Sequence, residues 1–147
     1  MAEIKTGNPV TDVILTQKQK EAEEKGIDFR CKFMYPTDTG INAFDVSVIL
    51  NNAITNAFEG VNGCKNPYVS VSAYRKKNAY MLELTNCVCK SVEIDDETGV
   101  PETTKKDKGS HGFGLANIRK VAQKYYGDID ISQDENSFTL TVMLMVE

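Results

Sequence analysis

The sequence predicts an α+β fold, a two-layer sandwich in which one mixed β-sheet carries three helices on one face. Three observations lead there. Helical periodicity appears in three separate stretches. Strand-like alternation recurs between and after them, and most strands arrive as hairpins rather than strictly between helices. The resulting order, α-β-α-β-β-α-β-β, lacks the regular alternation of a doubly wound parallel fold. At 147 residues, 41% apolar and 26% charged, the chain has ordinary globular composition and length for one domain with its own core. A net charge of −4 gives a nucleic-acid partner no bulk electrostatic support. No apolar run approaches the roughly 20 residues that span a bilayer, and the N-terminus has no signal-peptide pattern.

The first helix is expected from Pro9 to about Lys25. Asn8-Pro9 is a start signal, with proline at the first helical position, and Gly26 closes the helix. Val10, Val13, Ile14 and Leu15 are its expected apolar face; its Gln/Lys/Glu-rich second half is a solvated face. Residues 1–8 are expected to be a linker remnant and residues 9–147 the domain. From Ile27 to Met34 the pattern alternates, with Ile27, Phe29, Cys31 and Phe33 on one side, as in a half-buried strand. Residues 35–40 are turn chemistry. A second helix follows over Ile41–Glu59, with Phe44, Val48, Leu50, Ile54, Ala57 and Phe58 expected inside. Tyr68–Arg75 and Ala79–Asn86 are strands joined at Lys76-Lys77-Asn78 as an antiparallel hairpin. Residues 93–110 carry no apolar periodicity, and a loop of that length in a compact domain is commonly a lid or a binding loop. Leu115–Tyr126 is the third helix, with Gly127 at the C′ position. Asp128–Ser132 and Ser137–Met145 are the last strands.

The four cysteines, Cys31, Cys64, Cys87 and Cys89, contain no CxxC pair, and the single histidine, His111, cannot complete a usual zinc set. Cys87 and Cys89 share one side of a strand. All four fit reduced, small apolar residues of a cytosolic protein.

Two features carry candidate chemistry. Asn52 and Asn56 are i,i+4 on the second helix, with Glu59 three residues on and Asp45 a heptad before. Asparagine is a poor helix former, so the stripe is either an exposed polar face or a row of oxygen donors of the kind Mg²⁺ takes. The second feature is Lys108-Gly-Ser-His111-Gly112-Phe113-Gly114-Leu115, a polar glycine-rich run opening onto a helix. The free N–H groups and dipole at such a junction suit an anion, usually phosphate; taken alone, the same glycines serve equally as a hinge. A P-loop needs GxxxxGK[ST], which is absent. A dinucleotide fingerprint needs a third glycine where Asn117 stands.

In this order and spacing, residues 45–59 and residues 103–115 resemble the N box, the lid and the second glycine box of the gyrase, Hsp90, histidine-kinase and MutL (GHKL) superfamily. Within it the chain looks most like the catalytic domain of sensor histidine kinases of the accessory-gene-regulator, peptide-quorum-sensing type. The resemblance implies a Bergerat ATP-binding fold with a lid, and ATP and Mg²⁺ as cofactors. It implies Asn56 as the metal ligand, and Asn52, beside the phosphates, and Glu59, near the nucleotide, as catalytic positions. Gly112, Phe113, Gly114 and Leu115 would cradle phosphate, with Lys105 and His111 reaching its tail from the lid. The superfamily's adenine-binding Asp falls at Asn86, and no DxGxG follows; an amide accepts the same hydrogen bond without charge assistance. The implied activity is transfer of the γ-phosphoryl group of ATP to a histidine on a dimerisation domain absent from this chain, since His111 lies in the glycine loop. The implied partners are that phosphoacceptor domain and a downstream response regulator. The isolated domain would be a monomer on the cytoplasmic side of a dimeric, membrane-bound parent. An anti-sigma-factor serine kinase, a superfamily ATPase and a degenerate interaction module are the alternatives.

Overall fold

The structure, a computed structural model, describes residues 3–89 and 111–146. Eight elements follow in order: α1 (Pro9–Glu24), β1 (Asp28–Lys32), α2 (Ala43–Gly60), β2 (Tyr68–Lys76), β3 (Ala79–Cys87), α3 (His111–Lys124), β4 (Asp128–Gln133) and β5 (Ser137–Met145). The five strands form one sheet in the order β1-β2-β3-β5-β4. β1 runs parallel to β2, with α2 as the crossover, and the other neighbours are antiparallel. The expected two-layer α+β sandwich with a mixed sheet is therefore the observed fold.

The register explains why helices cover one face. Cys31, Val71, Leu84, Leu140 and Ile131 stand in one row across the sheet, and Ala73, Leu82, Val142 and Ile129 in another. All of these belong to the core or pack against it. Between them point Ser70, Thr85, Thr139 and Ser132, and Ser72, Glu83, Thr141 and Asp130, on the opposite face. There the Thr85 and Thr139 hydroxyls share a hydrogen bond of 2.9 Å. With a side-chain period of two, one apolar face can bury only against one layer of helices.

Several local expectations are corrected. In α1 the buried residues are Thr11, Leu15 and Ala22, spaced i, i+4, i+11, whereas Val13 is 56% exposed. In α2, Phe44 and Val48 lie outside, and Val46, Ile49, Leu50, Ala53, Ile54, Ala57 and Phe58 form the inner face. That helix begins two residues later than expected because Asn42 caps it, its side chain accepting from the Phe44 N–H at 2.7 Å. β1 is shorter than the alternation suggested, but Ile27 and Phe33 beyond its ends are still buried. α3 begins at His111, four residues early, so the glycines lie inside its first turn rather than before it. α1 closes as expected: Gly26 takes φ +72° and the Ile27 N–H reaches the Ala22 carbonyl at 2.8 Å. α3 does not. Tyr126, not Gly127, adopts the left-handed conformation, at φ 60°.

Residues 3–8, linker-like in sequence, are packed. Thr6 is fully buried, and its hydroxyl bonds Thr11 Oγ1 at 2.5 Å and Asp12 Oδ1 at 2.7 Å. Its carbonyl accepts from the Tyr35 N–H at 2.8 Å. The stretch read as a lid, residues 93–110, lies outside the described residues.

Candidate functional site

A cleft opens where α2 meets the end of the sheet. On α2, Ala53, Ala57 and Gly60 recur at i, i+4 and i+7 and leave space that larger side chains would fill. Opposite stand Leu84, Asn86 and Val88 from the end of β3, and Phe138 and Leu140 from β5. Leu115 of α3 and Asn56 of α2 complete the lining. The walls are mainly apolar, with one amide from the helix layer and one from the sheet. Such a lining suits the flat, weakly polar face of a heterocycle fixed by a few polar contacts.

Asn86 falls on the apolar face of the sheet, in the row Val69, Asn86, Phe138. It is only 4% exposed. Its Nδ2 donates to the Cys87 carbonyl at 2.9 Å. That bond commits the amide's donor end, so its oxygen is the end suited to accept from a ligand N–H. The fit is tight: a Cβ on Gly60 would lie 2.7 Å from Asn86 Nδ2. Glycine at the end of α2 is thus what lets the amide sit there.

At the α2–α3 end, the first turn of α3 approaches Asn52 and Asn56. A Cβ on Gly114 would stand 3.2 Å from Asn56 Nδ2 and 3.6 Å from Asn52 Oδ1. Asn52 donates its own Nδ2 to the Val48 carbonyl at 2.8 Å, which leaves its oxygen on the side of Gly114. Among the described residues, Asn56 Nδ2 is buried without a hydrogen-bond partner. An unsatisfied buried donor costs about 1–3 kcal/mol, and such a group in a cleft is suited to an acceptor brought by a ligand. A phosphate oxygen at the first turn of a helix is one. The same residues fit Mg²⁺: Asn56 and Asn52 offer hard, neutral amide oxygens. Too few for a complete shell, they suit an ion that keeps waters and shares phosphate oxygens.

At the other end of α3, its last turn is clamped to the first turn of α2. Lys124 Nζ lies 2.9 Å from Asp45 Oδ2, and the Tyr125 hydroxyl donates to the same carboxylate while accepting from the Asn42 N–H at 3.0 Å. Burial alone would raise the Asp45 carboxyl; the hydrogen bonds from Tyr125 and Lys124 outweigh it and hold the group below its usual range. Asp45, read from sequence as part of the donor stripe, is thus spent on holding the helices together.

The structure brings Asn56, Asn86 and Leu115 to one cleft, and sets Gly114 against Asn56 and Asn52 beside it. Glu59 is exposed and lines a different groove, with Lys25, Phe58 and Cys64. Lys105 lies outside the described residues. His111, Gly112 and Phe113 form the start of α3, and their side chains also lie outside the described set. Sequence reasoning missed Gly60, Val88 and Phe138. The spacing of Ala53, Ala57 and Gly60 was a visible signal for the first; Phe138 needed the β3–β5 register.

Fold and cleft together define a two-layer α+β domain with a ligand cleft between paired helices and the end of a mixed sheet. The GHKL domain family matches residues 41–145, and the chain belongs to that family. No curated protein matches the sequence. Among solved structures, a nucleotide-free form of the catalytic domain of histidine kinase ThkA is 18% identical with a TM-score of 0.73, over 99% of this chain and 97% of that one. A second nucleotide-free form of that domain gives 16% and 0.74 over the same shares. The Acinetobacter baumannii histidine kinase AdeS gives 14% and 0.66, over 94% of this chain and 64% of that one. At these identities the likeness is one of fold.

Proposed function

We propose that the chain binds ATP with Mg²⁺ in this cleft and acts as the catalytic domain of a sensor histidine kinase. The γ-phosphoryl group would pass to a histidine on a dimerisation domain outside this chain, and from there to a response regulator. The observation that carries the reading is the buried Asn56 Nδ2, without a hydrogen-bond partner among the described residues, facing the first turn of α3 in an apolar cleft that Asn86 also lines. Asn86 would accept from the adenine amino group, and the apolar walls would sandwich the ring. Asn52, Asn56 and the first-turn amides of α3 would meet the phosphates. Mg²⁺, held at Asn56, would supply charge neutralisation on the phosphate oxygens. Lys105 and His111 remain candidates for the phosphate tail on the resemblance alone. The resemblance of the chain, from Thr6-Gly7-Asn8 to its last strand, to the accessory-gene-regulator type supports a membrane-bound, dimeric parent sensing a peptide signal.

The test is thermal unfolding of the chain with Mg·ATP or a non-hydrolysable analogue. Ligand at a hundred times its Kd stabilises by about 2.7 kcal/mol, roughly 5–10 °C in Tm for a domain of this size. Asn56→Ala is expected to abolish the shift, and no shift at millimolar nucleotide sinks the reading. Given binding, labelled ATP and a dimerisation domain in trans separate the kinases: acid-labile phosphate supports a histidine kinase, acid-stable phosphate a serine kinase.

A further inference from the structure

The turn that follows α2 brings three of the four cysteines to one corner of the molecule. It is closed by the Cys64 N–H on the Val61 carbonyl at 3.0 Å. Cys87 ends β3, buried, with its sulfur 3.4 Å from the Tyr68 backbone nitrogen. Cys89 is exposed, and its thiol reaches the Asn62 carbonyl at 3.2 Å. A Cβ on Gly63 would lie only 3.0 Å from the Cys89 sulfur, so that sulfur rests on the residue directly before Cys64. Burial, and then the neighbouring Cys87 and Cys89 sulfurs, push the Cys64 thiol up to about 12. All the cysteines are free, and Cys31 sits apart, on β1 opposite Val71. Among the described residues no group of three or more Cys, His, Asp or Glu is arranged to hold a metal ion, which leaves thiol chemistry.

We propose that Cys64 and Cys89 form a peroxide-sensitive pair that closes as an intramolecular disulfide beside the cleft. Exposure makes Cys89 the attacking thiol, and Cys64, one residue beyond the glycine on which the Cys89 sulfur rests, the resolving one. The Cys89 thiolate attacks one peroxide oxygen. A sulfur–oxygen bond forms, the oxygen–oxygen bond breaks, and the departing hydroxide takes up a proton as water. Cys89 is oxidised to the sulfenic acid while the peroxide is reduced. The Cys64 sulfur then attacks the Cys89 sulfur. The sulfur–sulfur bond forms, the sulfur–oxygen bond breaks, and the hydroxyl leaves with the Cys64 proton as a second water. Two thiols and one hydrogen peroxide thus give one disulfide and two waters. The bond would tie the α2–β2 turn to the chain just beyond Val88, which lines the cleft. Its formation does not depend on the ATP reading.

The experiment treats the reduced full chain with hydrogen peroxide, blocks remaining thiols and maps peptides by mass. The free-thiol count is expected to fall from four to two, with a Cys64–Cys89 linked pair that has lost two hydrogen atoms and persists in Cys87→Ser and Cys31→Ser. In Cys64→Ser, Cys89 is expected to stop at a sulfenic acid that dimedone traps. Unfolding curves of each variant separate failed folding from failed chemistry, with Cys64→Ala as the second substitution. An unchanged thiol count, a link that survives Cys89→Ser through Cys87, or a disulfide-linked dimer in place of the internal bond would each overturn the proposal.

Discussion

Gly60 shows how a single missing carbon shapes the cleft. The Asn86 amide is buried and held to the Cys87 carbonyl, so yielding to a methyl group 2.7 Å from its nitrogen would cost it that hydrogen bond. Gly60→Ala is therefore expected to cost about 1–3 kcal/mol, as overpacking does, and to weaken nucleotide binding more than it weakens the fold. Urea unfolding and calorimetric titration on the same variant separate the two effects. A second residue-scale prediction concerns the end of α3. Tyr126 is 88% exposed and sits at φ 60°, where a side chain costs about 1–2 kcal/mol. Tyr126→Gly is expected to stabilise the fold by about 0.5–1 kcal/mol once the added freedom of the unfolded chain is subtracted. Gly127→Ala would place a carbon 1.7 Å from the Met143 carbonyl oxygen and should cost more than about 3 kcal/mol. Denaturant midpoints of the pair check both signs. From sequence, Gly127 looked like the C′ residue. Glycine was the right residue type for a helix end, but the reason for it is a strand carbonyl that only tertiary structure supplies.

At the scale of elements, the α2–α3 contact is governed by Asp45. Its carboxyl is held low by Tyr125 and Lys124 against the opposing effect of burial. A depressed carboxylate contributes stability that is complete above its unfolded value of about 3.9 and is lost as pH falls through the lower folded value. Asp45→Asn is thus expected to cost about 1–2 kcal/mol at neutral pH. The gap from the unmodified chain should stay constant between pH 7 and 5 and shrink below about pH 4. Urea unfolding at several pH values reads this directly; a gap independent of pH would show that the carboxylate charge is irrelevant. The clamp also explains what periodicity misjudged. α2 packs against α1, α3 and the sheet, so its buried face is broad, and hydrophobicity alone placed Phe44 inside when it is 73% exposed. In α1 the error ran the other way: a threonine, Thr11, is buried because Thr6 hydrogen-bonds it. Helix positions were legible from Asn8, Pro9 and Gly26, whereas helix faces depended on neighbours remote in sequence.

For the whole molecule, the alternation of Val69, Val71, Leu82, Leu84, Leu140 and Val142 made a one-faced sheet legible, and with it the two-layer fold. The parallel β1–β2 pairing and the insertion of β5 between β3 and β4 were not, because one strand's alternation does not name its neighbour. Of the cleft, the amide stripe was visible on α2, and its meeting with Gly114 was suggested only by the resemblance. The N-terminal segment poses the remaining question of extent. The Thr6 hydroxyl joins Asp12 and Thr11 of α1, while its carbonyl holds Tyr35 beyond β1. The Ile4 N–H donates to Thr16 Oγ1 at 3.1 Å. The segment therefore bridges the outer helix and the edge of the sheet rather than hanging from them. The Thr6 hydroxyl and N–H also hold the Asp12 carboxyl below its usual range. Removing residues 1–7 is expected to lower Tm by roughly 5 °C, in line with about 1–2 kcal/mol from the lost buried hydrogen bonds. Thr6→Val, which keeps the shape but not the hydroxyl, should reproduce part of that loss. Because the cleft lies against the opposite flank of α2, Mg·ATP should raise the Tm of the truncated chain by the same increment as the full one. Equal melting temperatures with and without residues 1–7 would make the segment a mere appendage, and a lost nucleotide increment would show that it supports the cleft as well as the fold.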